Sequence, residues 1–153
     1  MLFFALLAIL TGLTFVAHRH ADWPARMRIA MVVALVAAGT DHWLNPERYL
    51  AMMPPWVPYH LPMVLFTGAA EIAGALGLLW ARTRRLAGLL LAIYFVAVFP
   101  ANIHNALNGL AVEGLPQAGW YYWARLPFQP LAIWWALFSA ELIRWPLRAR
   151  VVS

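Results

Sequence analysis

Eight residues in this chain carry side chains able to hold a ligand or move a proton while standing in or beside long apolar runs: Asp41, His42, Thr67, Glu71, Asn102, His104, Arg125 and Gln129. Glu71 is the most unusual of them. It is the one acid in residues 61–80, LPMVLFTGAAEIAGALGLLW, a stretch as long as about 30 Å of hydrocarbon demands of a helix. At 1.5 Å per residue it lies about 14 Å beyond Pro62, near the midplane of such a span. An unpaired charge at that depth costs roughly 3 kcal/mol, so Glu71 needs partners or a proton. Helical spacing puts Val64, Thr67, Gly68, Gly74, Ala75 and Leu78 on its face and Leu65, Ala69, Ile72, Leu76 and Trp80 on the other. The mostly small residues beside the acid predict that it points into a helical bundle, with the bulky face toward lipid.

Three chemistries suit this set. A quinone or other apolar ligand would have its carbonyl or hydroxyl met by His, Arg or Glu, with its ring against Trp and Phe. Proton transfer is compatible with that, since a buried acid beside an imidazole can hold and release a proton. A metal such as Fe, Zn or Cu would draw on His42, His104 and Glu71, with Asp41 in reserve, but no tight spacing motif supports it and no residue is assigned as a metal ligand. On the ligand reading Glu71 and His42 do the proton chemistry, and Asp41, Thr67, Asn102, His104, Arg125 and Gln129 line the site. A purely structural network also fits, in which Arg125 neutralises Glu71 or Asp41 and the polar groups hold helices in register.

The elements that must position these residues are membrane spans. The chain has 153 residues, 64% hydrophobic and 11% charged, with a mean hydropathy of +0.70, which excludes an ordinary soluble domain. There is no lysine, and the arginines behind the net charge of +5 flank apolar runs, so the basicity reads as topology rather than as a nucleic-acid footprint. The absence of cysteine excludes thiolate, disulfide and iron-sulfur chemistry within the chain; any redox role must come from a cofactor or partner.

Five apolar spans are expected in one transmembrane domain over residues 1–153, at about 1–17, 26–44, 61–80, 86–107 and 127–145. The first has neither a basic stretch before it nor a small-x-small cleavage site, so it reads as a retained span rather than a signal peptide. Arg19, Arg26 and Arg28, then Arg82, Arg84 and Arg85, then Arg144, Arg148 and Arg150 make nine of the eleven arginines and fall on one side; Arg48 and Arg125 fall on the other. The bias places the N-terminus outside and the C-terminus in the cytoplasm of a bacterial inner membrane. Trp43, Trp56, Trp120 and Trp123 mark the outer boundary and Trp23, Trp80 and Trp145 the inner one. Trp134 and Trp135 are mid-span packing residues, and Glu141 with Arg144 reads as an i, i+3 pair near a helix end, without function.

With this topology, four spans place polar groups in the outer half, while the inner halves are almost purely apolar. That asymmetry describes a cavity open to the outside with Glu71 at its floor. Pro100 should kink span four and free the carbonyl of Val96, either toward the cavity or as a plain bend. Residues 52–62, with four prolines, cannot form a regular helix and would be a lid over the cavity or an interfacial anchor. A weak repeat is visible in His42-Trp43-Leu44-Asn45 and His104-Asn105-Ala106-Leu107-Asn108.

Six motifs, in order, resemble the DoxX-like family of small bacterial membrane proteins. They are Ala38-Gly39-Thr40-Asp41-His42-Trp43-Leu44-Asn45-Pro46, Met53-Pro54-Pro55 with Pro58, Thr67-Gly68-Ala69-Ala70-Glu71-Ile72 with Gly74 and Gly77, Arg82-Thr83-Arg84-Arg85, Phe99-Pro100-Ala101-Asn102-Ile103, and Arg125-Leu126-Pro127-Phe128-Gln129. The resemblance covers roughly residues 26–145. It implies an all-α transmembrane bundle with a four-helix core, to which residues 1–17 add one N-terminal span. It also implies a redox-associated subunit in the bilayer, and the exposed small-residue faces suit a redox partner subunit or a homo-oligomer. The family takes its name from a resemblance to the small subunit of a thiosulfate:quinone oxidoreductase. The competing expectations are a non-catalytic membrane scaffold, and a metal-binding or emopamil-binding-like isomerase bundle that would use its acids comparably.

Overall fold

The computed structural model describes residues 2–17, 22–109 and 118–144. His18, Arg19, His20, Trp145, Arg148 and Arg150, with their part of the arginine and tryptophan pattern, lie outside the described residues. Seven helices follow in order: α1 (Leu2–Ala17), α2 (Trp23–Leu44), α3 (Pro46–Leu50), α4 (His60–Leu79), α5 (Arg84–Asn108), α6 (Gly119–Arg125) and α7 (Phe128–Ser139). No strand occurs among the described residues. Of these helices α2, α4 and α5 are long and apolar enough to cross a membrane.

Local chemistry explains where they start and stop. Asp22 caps α2 by accepting the Ala25 N–H at 2.9 Å, and Pro24 sits in the first turn, where a missing N–H costs nothing. The Asn45-Pro46 step separates α2 from α3. The turn between α4 and α5 is closed by the Thr83 hydroxyl, which donates to the Gly77 carbonyl at 2.8 Å. Gly109, at φ +57°, caps α5 by donating its N–H to Asn105, a conformation open to glycine without strain. Pro100 lies within α5 without ending it, and both Pro100 and Val96 are on its exposed side, so the carbonyl that the proline frees does not face the interior.

The last span departs from expectation. In place of a helix over 127–145, α7 is twelve residues long, and part of the preceding loop forms the separate helix α6. The chain leaves helical geometry at Glu141, which takes φ +60° and turns its carboxylate to Arg28 and Arg84 rather than along a helix to Arg144. The expected i, i+3 pair is thus replaced by contacts to two other helices.

Consecutive long helices run antiparallel. α2 packs on α1, α4 and α7, and α5 packs on α4 and α7. One end of the assembly gathers Arg28, Trp80, Arg84 and Glu141; the other gathers Asp41, His42 and the N-terminus of α4. The core between them is Met31, Leu35, Leu78, Leu91, Phe95 and a run of alanines. Large apolar side chains such as Phe66, Leu76, Leu90, Ile93 and Val96 are exposed, as a lipid-facing surface requires. The contact that matters most for the site is the α2–α4 crossing: a Cβ built on Gly39 would lie 2.6 Å from the Gly68 carbonyl oxygen, and one on Gly68 2.7 Å from the His42 Cβ. Only glycine at both positions lets the two backbones approach this closely.

Candidate functional site

That crossing brings four of the eight candidate residues together. On α4, Val64, Gly68, Glu71, Ala75 and Leu78 are buried, and Leu76 and Trp80 are exposed. Glu71 is only 7% exposed. Its Oε1 accepts a hydrogen bond from the Tyr94 hydroxyl of α5 at 2.7 Å. Its Oε2 has no hydrogen-bond partner and lies 3.9 Å from Nε2 of His42, inside ion-pair range but beyond a hydrogen bond. No arginine reaches Glu71 within ion-pair distance among the described residues.

His42 is buried at the end of α2. Its Nδ1 is 3.0 Å from the Val64 carbonyl oxygen and 3.1 Å from the Thr67 hydroxyl, which itself donates to Val64 at 2.8 Å. A carbonyl oxygen only accepts, so these partners assign the proton to Nδ1. In the neutral imidazole Nε2 is then a bare acceptor facing Glu71 Oε2. Two acceptors 3.9 Å apart ask for a proton on one of them, or for a donor between them. This is the chemical opening in the site.

Around it, the other polar groups are engaged. Tyr49 of α3 lies against His42 with the rings tilted by 31° and their centroids 3.6 Å apart, and donates to Asp41 Oδ2 at 2.8 Å. Burial first, then the hydrogen bond and the charge of Asp41, push the Tyr49 hydroxyl pKa well above the ordinary phenol value, so it remains a donor. Asp41 also accepts from Asn45 at 2.6 Å and pairs with Arg48 at 3.5 Å. Its cation is therefore Arg48, and Arg125 neutralises neither Asp41 nor Glu71. Arg125 instead donates to the Met52 sulfur at 3.9 Å and lies over the Tyr121 ring.

The remaining candidates form separate contacts. Asn102 donates to Gln129 Oε1 at 3.2 Å, and Gln129 donates to the Phe95 carbonyl, joining α5 to α7. His104 is bonded by Asn108 of its own helix and meets the edge of Trp56. Hence His42, His104, Glu71 and Asp41 do not converge as a metal set, and no cluster of three His, Asp or Glu side chains able to hold a metal ion occurs among the described residues. The weak repeat likewise ends in unlike settings. Asn45 and Asn108 both bond back four residues, but His42 is buried against α4 while His104 is half-buried under Trp56. The proline-rich segment crosses this end of the bundle, with Pro54 fully buried, Met52 on Arg125 and Trp56 on His104.

Sequence reasoning missed Tyr49, Arg48 and Tyr94. Tyr94 did leave a signal: a phenol deep in an apolar run must find a partner for its hydroxyl. Asn105 is the other surprise, 1% exposed with neither side-chain atom hydrogen-bonded.

The model of a family described as "Domain of unknown function (DUF8561)" matches residues 31–140. The chain belongs to this family. The matched stretch runs from α2 into the end of α7, so it includes Asp41, His42, Glu71, Tyr94 and Gln129 and leaves out α1, Arg28 and Glu141. Among curated proteins and among solved structures, nothing matches the chain.

Proposed function

We propose that this DUF8561 protein is a multi-pass protein of the bacterial inner membrane that binds a quinone or other apolar ligand at the Glu71 cluster, as a redox-associated subunit. Its bundle is DoxX-like, with α2, α4, α5 and the α6–α7 segment as a four-helix core and α1 as an added span. The arginine-rich end faces the cytoplasm, and the end with Asp41, His42, Arg48 and Arg125 faces outward. The single observation that carries the reading is the state of Glu71: buried between helices, held by Tyr94 on one oxygen, and on the other 3.9 Å from His42 Nε2 with no hydrogen bond. A carboxylate that served only to pin helices would be paired on both sides. Here Glu71 is the proton-carrying group, His42 its partner, and Thr67 and Val64 orient the imidazole. Asp41, Tyr49 and Arg48 support the ring of His42 from the outer boundary, and the segment over Pro54 and Trp56 acts as the lid.

A scaffold without a ligand is the second reading, favoured by the mutual bonding of Asp41, Asn45, Arg48 and Tyr49 and of Asn102 with Gln129. Mass spectrometry of the gently solubilised protein, with elemental analysis of the same sample, separates the two. A stoichiometric quinone, lipid or metal that disappears in Glu71→Gln and His42→Ala variants supports a binding site and identifies its chemistry. A clean, folded protein without ligand supports the scaffold.

A further inference from the structure

Along the seam between α4 and α5 runs a groove of about 510 Å³. Ala69, Ala73 and Gly77 of α4 and Leu86 and Leu90 of α5 are among the residues that line it, and the two helices touch beneath at Gly74 with Leu91 and Gly77 with Ala87. Ala69, Ala73, Leu86 and Leu90 are exposed, so the groove opens sideways, on the face of the bundle that its composition suits to lipid. From Phe66 to Gly77 it extends about 17 Å at 1.5 Å per residue, the proportions of a slot for a hydrocarbon tail. A stripe of small residues would mean little alone. What sets this one apart is Tyr94, which lines the groove while its hydroxyl donates to Glu71, whose other oxygen is buried and without a hydrogen bond.

We infer that the α4–α5 groove seats an amphiphile with a linear or isoprenoid tail and a small uncharged oxygen head, entering from the lipid side and meeting the Tyr94–Glu71 pair. The inference rests on the ligand-binding reading of Glu71 and adds the seat, the route and the class of ligand. Charge selects the head. No arginine is within ion-pair reach of Glu71 among the described residues, so a carboxylate or phosphate head would meet a buried acid with nothing to neutralise it. An uncharged oxygen suits both protonation states. With Glu71 ionised, Tyr94 donates to it and the phenol oxygen accepts from a hydroxyl head. With Glu71 protonated, the acid donates to the phenol, which in turn donates to a carbonyl head. No bond other than hydrogen bonds is made or broken.

The test is photolabelling in proteoliposomes with three diazirine probes: a long-chain alcohol, an isoprenyl benzoquinone, and the same long chain ending in a carboxylate at neutral pH. Label is mapped to peptides, and Val33 and Val36, exposed on α2 and outside the groove lining, report non-specific contact with lipid. The expected result is saturable labelling of residues 66–94 by one or both uncharged probes, competed by unlabelled compound, with the carboxylate probe no higher than background. Labelling by the alcohol alone makes a hydroxylated lipid the ligand, and by the quinone alone a quinone. Tyr94→Phe should raise the saturating concentration about tenfold, one hydrogen bond's worth. Ala73→Trp, and Ala69→Trp should the first fail to fold, fill the groove from exposed positions and should abolish saturable labelling.

Equal labelling by the carboxylate probe, or labelling indifferent to both tryptophans, overturns the inference. So does cross-linking between copies through this face, which would make the groove an interface. A co-purified ligand lost in Glu71→Gln but retained in the tryptophan variants removes the groove and leaves the Glu71 reading standing. Loss of neither, with no saturable label, removes both.

Discussion

The molecule holds two glutamates that each join three helices, and they are built in opposite ways. Glu141, at the arginine-rich end, is 45% exposed at its side chain and is gripped by Arg28 at 2.9 Å and Arg84 at 2.8 Å, while Arg28 also bonds the Ser139 carbonyl at 3.1 Å. Its charge is matched, and the contact ties the start of α2 and of α5 to the end of α7. Glu71, in the interior, has one phenol, one distant imidazole and no arginine among the described residues. An acid with cations on it is a fastener. An acid without them, in a place where solvating it is expensive, has to be met by neutral donors or by a proton.

The largest effect should come from disturbing the crossing that creates the Glu71 site. Gly68→Leu would drive a side chain into the Gly39 carbonyl and the His42 Cβ, and should cost about 3 kcal/mol or more, read as a fall in Tm in detergent or failure to accumulate. An unchanged Tm would show that α2 and α4 do not meet there. Next, Tyr94→Phe removes the one hydrogen bond to Glu71 and should cost about 1–3 kcal/mol, whereas Glu71→Gln keeps an acceptor for Tyr94 and should stay within about 1 kcal/mol of wild type. A Gln variant as unstable as the Phe variant would place Glu71 with the fasteners. At the other end Glu141→Gln should cost less than about 1 kcal/mol, since exposed ion pairs are screened by water and salt.

The smallest effect is one of pH. The hydrogen bond from Arg28, with the nearby charge of Arg84, holds the Glu141 carboxyl below its ordinary value of 4.5, against a smaller opposing effect of burial. The contribution of Glu141 to stability is therefore fully present above that ordinary value and fades as the pH falls through the lower folded one. In acid titrations of Tm, the difference between wild type and Glu141→Gln should shrink below about pH 4.5. A difference that grows with acidity would mean that the arginines do not stabilise the charged form.

Much of this was legible in the residues themselves. The buried face of α4 follows from spacing, and depth puts Asp41, His42, Thr67 and Glu71, with the other candidates, toward one end of the bundle. Spacing could not show that Arg125 and His104, which depth places nearby, turn to Met52 and Asn108 instead. Nor could it show that Asn105, one residue further along α5 than His104, is the buried one. Depth is one coordinate, and rotation about each helix axis is another that adjacent residues do not share.

What the sequence determined by itself is the three long apolar helices α2, α4 and α5 and the presence of one acid where an acid is costly. Those are properties of single helices in a solvent that penalises exposed polar groups, so they can be read along the chain. What only the tertiary structure decided is which groups answer Glu71 and Glu141. Tyr94 lies 23 residues from Glu71, and Arg28 lies 113 residues from Glu141. Those partners are chosen by how closely two backbones can approach, at Gly39 and Gly68 above all, and close approach is a relation between helices that neither one carries alone.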